Sequence, residues 1–383
     1  MLRSLYSGIS GMKVNQTKLD VIGNNIANVG TTAFKGGRVR FQDMLSQTAT
    51  EALAPSTNQG GINPKQIGLG VQLAGIDTMV SQGMMQPTSR NLDVAVDGEG
   101  YIMVGKGPVV FDTAKAITMA TDHTVTNAQG VDTMFTRDGA LTLDNQGNLL
   151  TSDGYRVLGY PLVTGTFDAT TGIFKPALPT DTPPGFESIQ SVGIPAVGTP
   201  GTPAITDAPA KAAGDINFID TNKSFAAGTV LKTLRIPDQV FVPATTGAVA
   251  PAVDTPAHFV RIKTFSIEKD GIIKAVLDGG GVTAIGQIAV ASFKNPAGLT
   301  KLGKNLYQQS SNAGLAVVRS GVGDVNDNSK GYGDMLQGML EMSNVDLAEQ
   351  FTDMIVASRA FQASSKVIST GDEILQDILA LKR

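Results

Sequence analysis

The chain has 383 residues and a formal charge of −4 at pH 7, with 42% apolar and only 17% charged residues, no cysteine, no tryptophan and two histidines. That balance excludes a strongly basic nucleic-acid binder, and the missing cysteines exclude a disulfide scaffold, a thiolate nucleophile and a cysteine-ligated zinc. Two or three domains are expected at this length. The first element is a helix, on the stripe Leu5, Ile9, Met12, Leu19, Ile22 and Ile26. Steps of four and three residues make it narrow and coiled-coil-like. Gly8, Gly11 and Gly23 each lower its intrinsic helicity by roughly 1 kcal/mol, so it needs a partner. Arg3, Ser4, Ser7, Gly8 and Lys13 interrupt any signal-peptide hydrophobic stretch, and no run of apolar residues predicts a membrane span. "GNNIANVGTTAFKGG" (residues 23–37) then stops the helix with Asn, Gly and Thr.

The middle is β. "LDVAVDGEGYIMVG" (92–105), "MFTRDGALTLDNQGNLLTSDGYRVLGYP" (134–161) and "FVRIKTFSIEKDGIIKAVLDGG" (259–280) alternate apolar and polar residues and turn at Asp-Gly, Asn-x-x-Gly-Asn or Asp-Gly-Gly. That is hairpin grammar. Twelve of the 18 prolines fall between Pro176 and Pro256, a composition shift that marks an inserted segment. The apolar stretch at 230–242 favours a small β domain there over a Pro/Ala/Thr linker.

From Asn344 onward Leu347, Phe351, Met354, Phe361, Ile368 and Leu375 repeat the four-three alternation, with a second track through Ile355, Ile374 and Ile378. Ser343 or Asn344 is the expected N-cap, with Asp346 and Glu349 in the first turns. Residues 1–40 carry six basic groups against Asp20 alone, and residues 341–383 carry seven acids against four bases, so the two ends attract each other. The expected fold is α+β and multidomain: paired N- and C-terminal coiled-coil-like helices around a mainly antiparallel β middle of two domains, the outer inserted in the inner. The expected boundaries are 1–70 with 325–383 for the axial helices and crossing segment, 71–160 with 259–324 for the inner β domain, and 161–258 for the outer one.

Sites for chemistry come up short. Gly98-Glu99-Gly100 sits in a hairpin pattern, without the strand–turn–helix context a dinucleotide requires. "DVNDNSKGYGDM" begins like a calcium loop at Asp324, Asn326 and Asn328, but has Ser329 at the sharp turn and Met335 where a bidentate Glu is needed. His123 and His258 are scattered, with no carboxylate-rich surroundings read for either. The expectation is no enzyme, no cofactor, no metal, no nucleic acid and no small-molecule substrate.

Three stretches resemble the axial proteins of the bacterial flagellum, the rod and hook subunits. They are "LYSGISGMKVNQTKLDVIGNNIANVGTTAFK", "RNLDVAVDGEGYIMV" with "FTRDGALTLDNQGNLLTSDGYRVLGYP", and "QGMLEMSNVDLAEQFTDMIVASRAFQASSKVISTGDEILQDILALKR". Ala33 stands where the family usually has Gly before the Phe. The resemblance implies a structural subunit that polymerises into a helical tube, its terminal helices lining the centre and its β domains facing outwards. The large insert leans towards the hook, a short curved universal joint with a central export channel. A distal rod subunit with an expanded insert is the other reading within the family, and a secreted β-rich binding module the reading outside it.

Further expectations follow from the resemblance. The helical stripe (Leu5, Ile9, Met12, Leu19, Ile22, Ile26, Leu347, Phe351, Met354, Phe361, Ile368, Leu375) packs subunits. Asn28 and Gly30 supply left-handed or turn conformations, Thr31 and Thr32 cap locally, and Phe34 re-anchors the crossing chain. "FQDML", with Phe41 and Leu45, is either an element presented to the export gate or plain packing. Implied partners are further copies of the chain, rod and hook–filament junction proteins at the ends of the tube, and the hook cap and flagellar type III export apparatus during assembly. The implied location is the extracellular hook, reached without a cleaved signal peptide.

Overall fold

The computed structural model describes residues 2–55, 60–107, 117–127, 131–167, 174–176, 216–221, 225–228, 230–242, 258–324 and 326–381. They divide into a helical unit, Met1–Gly83 with Met342–Arg383, and a sheet unit, Met84–Glu341. No helix among the described residues is long and apolar enough to cross a membrane.

In the helical unit, α1 (Leu2–Ala27) and α2 (Leu347–Leu381) run antiparallel, with Gly371 against Leu5, Gly8 against Ile368, Lys18 against Asp353 and Asn25 against Gln350. Each supplies the partner that the other's narrow stripe lacks. The N-cap of α2 is Asp346, not Ser343 or Asn344: its Oδ1 accepts from the backbone N–H of Ala348 at 2.8 Å and of Glu349 at 3.4 Å. A carboxylate there also meets the positive end of the helix dipole.

Between the helices the chain runs out as β1 (Gly37–Asp43), continues through β2 (Ser46–Thr50) and β3 (Lys65–Gly68), and returns as β4 (Val71–Thr78). β1 pairs antiparallel with β4, and β2 with β3. The sequence shows no period-2 signal here because every described residue from Arg40 to Gly68 is exposed, so no buried face imposes one. The boundary between the units falls at Gly83/Met84 and Glu341/Met342, where composition suggests 70/71 and 324/325. β4 lies on the helical side because it pairs with β1. Asp334–Gln337 and Met339–Glu341 lie on the sheet side because they pair with Val94–Asp97 and Met85–Pro87.

The sheet unit is a succession of antiparallel pairings around one long strand, Arg156–Phe167. That strand meets Tyr101–Lys106, Phe225–Ala227, Val230–Thr233 and Val282–Ile288 along its length. The expected Asp-Gly turns are present: Gly154 and Gly271 have φ of 82° and 79°, a region costing an L-residue about 1–2 kcal/mol. Of the segment 161–258, residues 161–167, 174–176, 216–221, 225–228, 230–242 and 258 are described. Ile216, Leu234 and Ile236 share a core with Val94, Ile102 and Ile285, and Leu162 and Ile219 pack with Ile272 and Ala284. The rest of that expected outer domain lies outside the described residues.

Arg137 and Glu341 form a buried ion pair in the sheet unit. Arg137 Nε lies 3.0 Å from Glu341 Oε2, with side chains only 4% and 0% exposed. The guanidinium also donates to the carbonyls of Val96 (3.0 Å) and Gly98, and sits 5.7 Å from the Tyr101 ring centroid. Burial pushes the Tyr101 hydroxyl up to about 12, against the opposing pull of Arg137.

Candidate assembly surfaces

The stripe read from sequence divides in two. Ile22 is buried in the α1–α2 seam, and Leu5, Met12, Leu19, Ile26, Met354, Phe361, Ile368 and Leu375 are half-buried. Ile9, Leu347 and Phe351 are exposed, and so is the second track, Ile355, Ile374 and Ile378. Leu379, at the end of the first track, is exposed too, as are Tyr6, Val356 and Val367, which belong to neither track. Their signal was weak, because a helix with apolar residues on more than one face does not declare from periodicity which face an intrachain partner takes.

What sets the seam is small residues. A Cβ on Gly371 would lie 2.7 Å from Leu5 Cδ2, and one on Gly8 would lie 3.1 Å from Ile368 Cγ1 and 3.3 Å from the Ser364 carbonyl oxygen. A Cβ on Gly11 would lie 3.1 Å from the Ser364 hydroxyl oxygen. The glycines that lower helicity are therefore the ones that let the helices approach, except Gly23, which has open space around it. Lys18 pairs with Asp353 across the seam at 3.3 Å, in keeping with the opposite charge of the two ends. Arg38 and Arg40 turn instead to Asp77 on β4.

The helix stop is a hydrogen-bonded turn. Asn28 Nδ2 donates back to the Asn24 carbonyl at 2.9 Å, and Thr31 Oγ1 donates to Asn28 Oδ1 at 3.2 Å. Asn28, Gly30 and Thr32 lie in turns, and the left-handed residue of the stop is Ala33, with φ of 54° and 1% exposure. The departure from the usual Gly therefore falls on the one position where Gly would relieve backbone strain. Phe34 is half-buried, its carbonyl accepting from the Asn344 N–H at 3.3 Å.

Three polar side chains hold this junction, of which only Asn344 was singled out from sequence, as an N-cap. Asn25 Nδ2 donates to the Gly37 carbonyl and to Gln350 Oε1, both at 2.9 Å, and its Oδ1 accepts from the Gly37 N–H at 3.0 Å. Lys35, with 0% exposure, donates from Nζ to the Ser81 carbonyl at 2.9 Å. Asn344 Oδ1 accepts from the Gly36 N–H at 2.8 Å, while its Nδ2 donates to the carbonyls of Met79 (2.8 Å) and Ser81 (3.1 Å). The sequence signal was only that the stretch is rich in amides, which does not say which amide is buried.

"FQDML" is extended and not a helical turn. Phe41 lies on β1 and is 40% exposed, and Leu45 lies past its end and is 70% exposed. Around Asp324 the polar side chains are turned to their own loop: Asp324 accepts from the Asn326 N–H, and Asp327 from Ser320 Oγ and the Ser329 N–H. His123 does have one carboxylate neighbour, Asp324 at 3.7 Å, and its Nε2 lies 2.8 Å from the Asn326 carbonyl. No group of His, Cys, Asp and Glu suited to a metal occurs among the described residues.

Three family models match. The flagella basal body rod protein model covers residues 5–35, the flagellar hook protein FlgE/F/G D1 domain covers 123–199, and the flagellar basal body rod FlgEFG protein C-terminal model covers 336–381. The chain is 38% identical to the flagellar basal-body rod protein FlgG of Bacillus subtilis, over 100% of both chains. It is 34% identical to the flagellar hook protein FlgE of Borreliella burgdorferi and 33% identical to that of Treponema pallidum, again over 100% of each. A crystal structure of the Helicobacter pylori flagellar hook protein FlgE2 aligns at 12% identity with a TM-score of 0.34, covering 67% of this chain and 100% of that one, a likeness too slight to carry an argument.

Proposed function

Because this chain belongs to the flagellar rod and hook axial family, whose members are structural subunits of the flagellum and not enzymes, we propose that it is a hook subunit. The observation that carries the assembly reading is that α2 leaves large apolar side chains open outside the seam. Phe351, Ile355, Ile374 and Ile378 stay 45–62% exposed although the helix already has a partner in its own chain. Covering each contributes about 1 kcal/mol, so the helix pair gains its full burial only among copies. The hook reading draws on the segment after Pro161 and on the identity to two hook proteins. A distal rod subunit is the second reading, favoured by the 38% identity, end to end, with a rod protein.

In the hook reading the tube keeps an inner layer of helix pairs while the β domains, including the proposed outer one at 161–258, slide against neighbours to permit bending. Export through the flagellar apparatus, with Phe41 and Leu45 offered to the gate, belongs to the same proposal, as do the cap, rod and junction partners. Electron microscopy of protein polymerised in vitro decides between the two: short curved tubes support the hook, and straight rods under the same conditions overturn it in favour of the rod.

A further inference from the structure

Five Asp-Gly steps occur in the chain, at residues 97–98, 138–139, 153–154, 270–271 and 278–279. Such a step can close on itself, because glycine has no Cβ to obstruct attack of its nitrogen on the preceding carboxyl. A bond to that nitrogen, a bond to that carboxylate or close packing holds the reacting atoms apart. Four of the five are held in this way. Gly154 and Gly271 donate their N–H to the carbonyls of Thr151 and Glu268, both at 2.9 Å. Asp153 pairs with Lys304 at 3.2 Å, and Asp270 with Arg319 at 3.3 Å. Asp138 Oδ1 accepts from the Ala140 N–H at 3.2 Å, and Gly139 is pressed against the Val94 carbonyl. Asp97 lies opposite Asp334 in a strand pair, Gly98 is packed on Gly333, and the Gly98 carbonyl accepts from Arg137.

The step at Asp278 has none of these restraints. Asp278, Gly279 and Gly280 are exposed at the tip of the hairpin that joins Ile272–Leu277 to Val282–Ile288. The Gly280 N–H donates to the Leu277 carbonyl at 2.9 Å, the Leu277 N–H to the Gly281 carbonyl at 2.8 Å, and the Asp278 N–H to the Arg261 carbonyl at 3.0 Å. Among the described residues, these bonds leave the Gly279 N–H and the Asp278 carboxyl without a partner. Gly279 also has open space around it.

We propose that Asp278 is a self-modification site, at which the folded chain converts aspartate to isoaspartate. The Gly279 nitrogen bonds to Asp278 Cγ, the Cγ–hydroxyl bond breaks, and the hydroxyl leaves as water with the proton lost from nitrogen. A five-membered succinimide remains. Water then adds to the main-chain carbonyl carbon of Asp278, and the bond from that carbon to the Gly279 nitrogen breaks. The chain now runs through Cβ and Cγ, and a free α-carboxylate stands on the turn. The water released equals the water consumed, and nothing is oxidised or reduced. The extra methylene falls beside Gly279 and Gly280, where there is room for it, so the buried Ile273, Ala275 and Leu277 keep their places. The change accumulates with the age of the folded chain and does not depend on the assembly reading.

Full-length protein, kept folded at neutral pH and physiological temperature and sampled over weeks, tests it. Peptide mapping resolves the isobaric product, and methyl transfer from S-adenosylmethionine by an isoaspartyl methyltransferase serves as the probe for the new carboxylate. Asp278 should convert about ten-fold or more faster than each of the other four aspartates, which react only through local opening. In denaturant the five rates should converge to within about three-fold, since opening no longer separates them. Gly279 is not left-handed and has open space, so Gly279→Val fits the turn. Its stiff branched side chain should slow conversion about ten-fold while the melting of the sheet unit stays in place. Asp278→Asn, which expels ammonia through the same ring, should age faster than wild type. Conversion at Asp278 no faster than at the other four steps overturns the proposal. So does a Gly279→Val chain that ages like wild type, or an Asp278→Asn chain that gains no speed.

Discussion

Replacing Ile355 by Ala tests the open face of α2 directly. Ile355 is 62% exposed in the single chain, so most of its side chain has yet to be covered. Full burial of an Ile side chain contributes about 1.5–3 kcal/mol; scaled to the uncovered part and less the retained Cβ, the loss on assembly is about 1–1.5 kcal/mol. Addition of a subunit to a tube end is a binding equilibrium, so the critical concentration should rise roughly five- to ten-fold. Ile374, 45% exposed and far along the same helix, is independent of Ile355, and the double Ala variant should multiply the two effects to about thirty-fold or more. The assay is sedimentation of polymer against total protein, with the melting of the monomer as control. Because these side chains touch little within the chain, the monomer transition should not move. A double variant whose critical concentration stays within about two-fold of wild type would refute the reasoning. So would a loss of monomer stability large enough to account for the assembly defect.

Ile22→Asp places a carboxylate in the seam at a position 3% exposed, at a cost of several kcal/mol. Assembly should be abolished while calorimetry still shows the sheet-unit transition, and the exposed Lys13→Ala should assemble nearly as wild type. Glu341→Ala strands the Arg137 guanidinium, which keeps its two carbonyls, so the cost should sit near the low end of about 3–5 kcal/mol. That is a fall of about 6–12 °C in the melting of the sheet unit, largely restored by Arg137→Met with Glu341→Leu. Burial pushes the Asp144 carboxyl upward, but hydrogen bonds from the Asn148 side chain and from the N–H groups of Asn148 and Gln146 outweigh it and hold it below its usual range. Hydrogen bonds from Ser329 and Ser320 depress Asp327 likewise. Both therefore stabilise the fold above the unfolded carboxyl value, near pH 4, and that contribution is lost as pH falls through their lower folded values. Asp144→Asn should lower stability at pH 7 and flatten its decline below about pH 4 in acid titrations of melting.

The helices, the hairpin turns and the terminal pairing were legible because each has a local physical signature: a four-three stripe, an Asp-Gly at a left-handed turn, opposite charge at the two ends. β1–β4 left none, since an exposed ribbon has no buried face to impose alternation. The cap of α2 was misplaced by two or three residues because Ser343, Asn344 and Asp346 all suit an N-cap by residue type. Only the pairing of Asn344 with Gly36, Met79 and Ser81 removes it from contention. That Ala33 takes the left-handed conformation was not legible, because residue type alone does not report φ. The face of α2 turned to solvent was equally undecidable, since both tracks are apolar and only the glycine seam chooses between them.

The antiparallel seam puts the residues near the two chain ends side by side, with Leu5 against Gly371. A purification tag or fluorophore fused to either terminus therefore arrives near the same tip of the helix pair. Switching a tag from one end to the other gains nothing. The Asp278–Gly280 turn of the sheet unit is exposed, and Gly279 and Gly280 have open space around them. A short epitope inserted there leaves both helix ends bare, which makes it the place to label a subunit whose growth into a tube is to be watched.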